Sequence, residues 1–236
     1  MKPKHLDLFS GIGGFALAAQ AVGFETIGFS EIDPYASAVL KKHWPDIPNY
    51  GDVRTVPTVG CDLITGGFPC QPFSCAGKQR GSADDRFLWP AMLDVIQRCR
   101  PAWVLGENVA GIIDMELHQC CLDLASIGYD SQPFNISACA VGADHRRERI
   151  WIIANDPRLS VEKSRVALPA RQISEPRNIG GGLSGSLWKF NWETYLAEMA
   201  GELYGVSNWL DRSKAIGNAI VPQVAEVILR EIIKHL

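Results

Sequence analysis

The sequence predicts an α/β fold, with a mostly parallel sheet and one late antiparallel strand. Three observations carry this. Short apolar segments of strand length alternate with longer amphipathic segments through the first two-thirds of the chain. A glycine-rich turn, Ser10-Gly11-Ile12-Gly13-Gly14, joins the first strand to the first helix. Hydrophobic residues make up 47% of the 236 residues, enough for one well-buried core.

Taken in order, residues 6–9 form a short buried strand, and a helix over 14–22 ends at Gly23. Residues 26–30 form a second strand, and Pro34 opens a second helix in its first turn. A strand around 62–64 precedes an amphipathic helix over 87–98. The run 102–106 is again strand-like, and 112–127 has helical spacing closed by Gly128. A late strand at 150–153 pairs with its predecessor as a hairpin. After Asn155 the pattern breaks: 157–204 is rich in Pro, Gly and Ser and includes Gly180-Gly181-Gly182. A last amphipathic helix spans 221–233, with Pro222 in its first turn. The expected organisation is a catalytic and cofactor-binding domain over 1–156, an insert over 157–204, and a return over 205–236 that completes the first domain.

A net charge of -3 does not point to nucleic acid, so any contact with phosphates must come from local basic clusters. No apolar stretch is long enough to span a bilayer, and the start of the chain does not resemble a signal peptide. The seven cysteines are irregularly spaced, with no Cys-x-x-Cys pair, so neither zinc nor a redox dithiol is expected. Reduced thiols and a cytoplasmic location are expected.

Four places carry chemistry. The glycine turn reads Gly11-x-Gly13-x-x-Ala16, with Glu31 twenty residues past Gly11 at the end of the second strand. A carboxylate there accepts ribose hydroxyls. NAD, FAD and S-adenosylmethionine all satisfy this pattern, and so does a purely structural turn. The second place is Gly66-Gly67-Phe68-Pro69-Cys70-Gln71-Pro72-Phe73-Ser74, which leaves a buried strand at its carboxyl end. A nucleophilic thiol needs an electropositive, partly exposed setting, and Lys78, Arg80 and Arg86 follow. A buried structural cysteine is the alternative; the flanking prolines and glycine pair argue against it. The third is Glu107-Asn108-Val109, whose carboxylate lies on the same sheet edge as Cys70 or caps the next helix. The fourth is His145-Arg146-Arg147-Glu148-Arg149, in which Arg147 and Arg149 project to one side of a strand.

Together these blocks resemble the bacterial and phage cytosine-C5 DNA methyltransferases. The resemblance rests on residues 7–15, 68–74, 107–109, 147–149 and 217–222 (Gly217-Asn218-Ala219-Ile220-Val221-Pro222), in the family's order, and excludes only 157–204. His145 stands where the family usually has Gln, and the region that normally reads DNA sequence is much reduced. The resemblance implies a Rossmann-like S-adenosylmethionine-dependent methyltransferase fold acting on double-stranded DNA. It implies Cys70 as nucleophile, Glu107 at the base's N3 and exocyclic amine, and Arg149 with Arg147 at O2 and nearby phosphate. It assigns Phe9, Gly11, Gly13, Gly14 and Pro69 to the cofactor. It assigns Phe15 to stacking near the adenine, Glu31 to the ribose, Asp52 to the adenine amine, and Asn218 to closing the pocket. Gln71, Ser74, Lys78, Arg80 and Arg86 would touch DNA, and no metal is implied. The chain would act as a monomer on a short or relaxed target, with a partner subunit supplying recognition as the competing possibility. Two rival readings remain at this point. A nicotinamide-dependent oxidoreductase leaves the Pro-Cys-Gln and Glu-Asn-Val blocks unexplained. A non-catalytic DNA-binding relative would have lost Cys70, Glu107 or the glycine turn, and all three are present.

Overall fold

A computed structural model describes residues 1–69, 87–143, 146–159 and 219–236. Cys70, Gln71, Ser74, Lys78, Arg80, Arg86, His145 and Asn218 lie outside the described residues, as does the expected insert beyond residue 159.

Among the described residues, six strands form one sheet: β1 (Lys4–Leu8), β2 (Glu25–Ser30), β3 (Leu63–Gly66), β4 (Trp103–Val109), β5 (Asp130–Ser137) and β6 (Glu148–Asn155), in the order β2-β1-β3-β4-β6-β5. The first four strands in that order run parallel, and β6 pairs antiparallel with both β4 and β5. Helices α1 (Gly14–Val22), α2 (Pro34–His43), α3 (Trp89–Cys99), α4 (Leu117–Ser126) and α5 (Pro222–Ile232) join or cover the strands. The central strands are buried on both faces, and most of their buried positions are apolar, with His5 and Asp7 of β1 and Thr65 of β3 as buried polar exceptions. One cluster packs Leu6, Leu8, Ile64 and Val104 with Met92, Val95 and Ile96 of α3. The other packs Phe15, Ala18 and Ala19 of α1 and Trp151 against Val224, Ala225, Ile228 and Leu229 of α5. Helix α5 is amphipathic, and its apolar stripe closes over α1, so the end of the chain returns to its beginning.

The sheet interior also holds a polar line. Buried His5 places Nδ1 3.0 Å from Thr26 Oγ1 and Nε2 2.8 Å from Thr65 Oγ1, and the Thr65 hydroxyl donates to Asp7 Oδ1 at 3.0 Å. The Thr65 donation fixes the order: its oxygen accepts from Nε2–H, leaving Nδ1 to accept from Thr26. Burial lowers the His5 pKa to about 3, so the ring is neutral, and burial raises that of Asp7 well above the usual carboxylate range.

Two elements differ from expectation. Strand β5 has no counterpart in the sequence reading. Its residues, Asp-Ser-Gln-Pro-Phe-Asn-Ile-Ser, include no buried position, and Pro133 lies mid-strand. Proline is tolerated there because β5 is an edge strand. The helix expected over 112–127 forms only from Leu117. The preceding chain makes a 3₁₀ turn over Ala110–Ile112 and leaves Ile113 39% exposed.

Candidate active site

The carboxyl ends of β1, β3 and β4 share one sheet edge, where open α/β sheets bind ligands. Beyond β1, Gly11 and Gly13 have φ of +53° and +88°, which favour glycine. A Cβ on Gly13 would lie 2.5 Å from the Trp44 ring, so the turn packs backbone directly on the α2 side. A Cβ on Gly11 would meet nothing within 4 Å, so that face of the turn is open. Phe9 also has positive φ, 53°, at the point where β1 gives way to the turn.

Glu31 fastens this turn to β2: Oε2 accepts the Gly11 N–H at 2.7 Å, and Oε1 accepts the Asp33 N–H at 2.7 Å. Asp33 in turn caps α2 by accepting from Tyr35 and Ala36 N–H. Ile32, between the two carboxylates, is 70% exposed. Sequence reasoning missed it; the signal was an aliphatic side chain at a strand's carboxyl end with acidic neighbours. Asp52 caps a short 3₁₀ turn by accepting the Arg54 N–H, and pairs with the Arg54 guanidinium at 3.2 Å. The expectation for Phe15 needs correction. Its ring is 2% exposed and packs edge-on to Trp151, 6.1 Å between centroids, so it is a core residue and offers no stacking face.

At the end of β3, Gly67 leads to buried Phe68, whose ring tilts against Trp89 at 5.1 Å. Asn108 Nδ2 donates to the Phe68 carbonyl at 2.8 Å, and its Oδ1 accepts the Val109 N–H at 2.9 Å. This buried amide therefore ties β4 to the segment that enters Pro69 and Cys70. Beside it, the Glu107 carboxylate pairs with Arg149 Nε at 3.0 Å. The pairing follows from register: Glu107 lies opposite Trp151 and Val109 opposite Arg149. A Cβ on Gly67 would come within 3.3 Å of Glu107 Oε2, so glycine lets the end of β3 approach the acid. Burial lifts the Glu107 pKa to about 7, against the pull of Arg149 and Arg147.

Arg147, with φ of 35°, donates to the Ala219 carbonyl at 2.7 Å and so grips the chain entering α5. The next residue, Ile220, reaches the glycine turn; a Cβ on Gly14 would lie 2.8 Å from its Cγ1. The edge thus gathers Gly11, Gly13, Gly14, Glu31, Pro69, Glu107 and Arg149, with the C-terminal return behind them.

Asn108→Ala leaves the Phe68 carbonyl without its donor. We expect a loss of stability of about 1–3 kcal/mol, read by denaturant unfolding. Turnover should fall with it, while ligand affinity at the glycine turn is preserved.

Comparison with known proteins agrees with this geometry. Residues 4–203 match the C-5 cytosine-specific DNA methylase family, most of the chain. The chain belongs to that family. Type II methyltransferase M.HgiCII of Herpetosiphon aurantiacus is 34% identical over 168 residues, which cover 67% of this chain and 38% of that relative. Type II methyltransferase M.NgoMIV of Neisseria gonorrhoeae is 29% identical over 230 residues, 94% of this chain and 69% of that relative. The chain therefore spans well under half the length of the first of these methylases. A crystal structure of a DNA modification methyltransferase encoded within an E. coli prophage superposes with a TM-score of 0.59 and 27% identity, over 69% of this chain and 49% of that one. A Spodoptera frugiperda DNMT2 shares the fold, with a TM-score of 0.61 over 78% of this chain and 57% of that one. The methylase fold thus accounts for the mostly parallel sheet and its antiparallel pair.

Proposed function

We propose that this chain is a DNA (cytosine-5-)-methyltransferase that uses S-adenosylmethionine and a covalent Cys70 adduct. The observation that carries the reading is the buried Glu107–Arg149 pair at the end of β4, beside the segment that delivers Cys70. A nicotinamide-dependent oxidoreductase leaves the Pro-Cys-Gln and Glu-Asn-Val blocks unexplained.

The residues on the neighbouring edge fit the cofactor. The open face of Gly11 lets a ligand approach the backbone, Glu31 lies where ribose hydroxyls can be accepted, and Ile32 offers an exposed apolar face for a base. Phe9, Gly13, Gly14, Asp52, Pro69 and Asn218 would complete the site. When bound, adenosylmethionine supplies an electrophilic methyl group for carbon 5.

The chain's own residues do the rest. The Cys70 thiolate adds to C6 of cytosine and makes C5 nucleophilic. Glu107 hydrogen-bonds N3 and the exocyclic amine and holds a proton at N3 as charge develops. A carboxyl titrating near 7 is matched to that task. Arg149 orients Glu107 and donates to O2. Arg147 acts through the C-terminal return that it grips. A base then takes the C5 proton, and Cys70 leaves.

The target atom is inaccessible inside a duplex, so the base flips out at a cost of roughly a few kcal/mol. Gln71, Ser74, Lys78, Arg80 and Arg86 are the proposed DNA contacts. An insert as short as 157–204 can place few fixed donors in a groove, so we propose a short or relaxed target of about two to four base pairs. The limited span of the chain relative to its relatives favours one further reading, a partner that supplies recognition.

The deciding experiment incubates the purified chain with adenosylmethionine and a mixed DNA library, followed by single-base mapping of 5-methylcytosine. Methyl groups on adenine or on cytosine N4, or none with any added protein, would overturn the reading. A long stringent site would overturn the relaxed target alone.

Glu31→Ala and Asp52→Ala are each expected to weaken adenosylmethionine binding, about tenfold or more for Glu31, the loss of a charged hydrogen bond. Isothermal titration checks this; unchanged affinity in both variants would show that the glycine turn serves another ligand.

A further inference from the structure

Beyond α2 the chain comes back alongside the end of β2. The Phe29 N–H donates to the Pro48 carbonyl at 2.9 Å, and the Tyr50 N–H donates to the Phe29 carbonyl at 2.8 Å, so Phe29 and Asn49 form a parallel bridge. In a parallel ladder every second residue makes both bonds to the neighbouring strand, so Glu31 is the next in line. Its N–H would donate to the Tyr50 carbonyl, and its own carbonyl would accept from Asp52. The chain does not continue that way. It turns at Gly51, where φ is +73°, and the Tyr50 carbonyl faces the Thr55 hydroxyl at 3.1 Å.

The side chain of Asn49 makes the missing pair of bonds. Its Oδ1 accepts the Glu31 N–H at 3.0 Å, and its Nδ2 donates to the Glu31 carbonyl at 3.0 Å. One amide thus stands in for two peptide groups. Oδ1 also accepts the Gly51 N–H at 3.1 Å, which pins the side chain to its own loop, and Nδ2 donates to Ser37 Oγ in the first turn of α2 at 3.1 Å. The partners fix which end of the amide is which: two backbone N–H groups need an oxygen, and a carbonyl needs an N–H. All four bonds open to an amide are made.

Glu31 is therefore held from two directions, its carboxylate by the Gly11 and Asp33 N–H groups and its main chain by Asn49.

We propose that Asn49 is a positioning residue for cofactor binding, whose amide fixes the Glu31 main chain so that the carboxylate meets the ribose hydroxyls. Asn49 acts through Glu31 and need not touch the ligand. Without the amide, the Glu31 peptide groups turn to water, and the carboxylate has to be ordered when the ligand binds, which costs affinity. The inference rests on the adenosylmethionine reading of this sheet edge.

The test is isothermal titration with S-adenosylhomocysteine, which carries the same adenosine, on the parent, Asn49→Ala, Glu31→Ala and the double variant. Asn49 is exposed, so removing its amide leaves no buried void. Asn49→Ala should bind about fivefold more weakly, the scale of a net hydrogen bond. In the Glu31→Ala background the same change should cost less than about twofold, because its route to the ligand is gone. A role confined to fold stability gives the same loss in both backgrounds. Asn49→Asp keeps the shape and an accepting oxygen, loses both donated bonds and sets a second charge beside Glu31. It should bind more weakly by a similar factor, and the same cycle run with it decides the matter where the alanine variant fails to fold. Affinity equal to the parent's in both Asn49 variants, or a loss as large without the Glu31 carboxylate as with it, would overturn the proposal alone. A parent that binds no S-adenosylhomocysteine would overturn the cofactor reading, and this inference with it.

Discussion

Cys70→Ser is expected to lower turnover by at least ~10³-fold, the scale seen when a covalent nucleophile is removed, while adenosylmethionine affinity stays near that of the parent. A serine hydroxyl is essentially un-ionised at neutral pH, and this site supplies a proton-holding acid, Glu107, in place of a strong base. DNA with 5-fluorocytosine at the target should trap the parent protein covalently, because fluorine cannot leave C5 as a proton does. Denaturing electrophoresis reads the trapped species. Substantial activity in the serine variant would assign the nucleophile elsewhere. Replacing fully buried Cys120 should instead lower stability, and replacing exposed Cys139 should change little.

Glu107→Gln has two expected effects that separate chemistry from folding. Turnover should fall by about 10²–10⁴-fold, the range for a positioned acid or base. Stability should move the other way at high pH. The ordinary carboxyl pKa of 4.5 applies to the unfolded chain, and burial raises it to about 7 in the fold. The folded state therefore binds this proton more tightly. The cost of burying the charge is absent below about pH 4.5, grows between the two values and is complete above about pH 7. Glutamine does not titrate. The stability difference between variant and parent should thus shift toward the variant by about 3 kcal/mol from acid to alkaline pH. Urea unfolding across that range measures it; a difference independent of pH would show that folding does not raise the Glu107 pKa.

The parallel strands were legible because β3 and the first part of β4 are short apolar runs, and β1, despite His5 and Asp7, leads straight into the glycine turn. Strand β5 was not, because an edge strand with Pro133 and half-exposed side chains has no period to read. Glu107 and Arg149 were found as separate blocks, but their 3.0 Å pairing depends on antiparallel register between strands some forty residues apart. Phe15 misled because an aromatic after a glycine turn suggests a ligand. The better signal was its helical spacing with Ala18 and Ala19, three and four residues on, which marks the face packed on α5. Ile32 had the opposite character, an apolar side chain in no periodic pattern, and it is the exposed one.

The contacts of Ile220 with Gly14 and of Ala219 with Arg147 also set a timetable. A chain leaves the ribosome amino end first, at about 5–20 residues per second. The glycine turn therefore emerges about 200 residues ahead of the segment that backs it. For that interval of roughly 10–40 s, Phe15, Ala18 and Ala19 have no α5 to cover them. The nascent chain is then an oily surface in need of shelter. It already contains its thiol and its acid, but an unfinished copy has no formed pocket in which to use them.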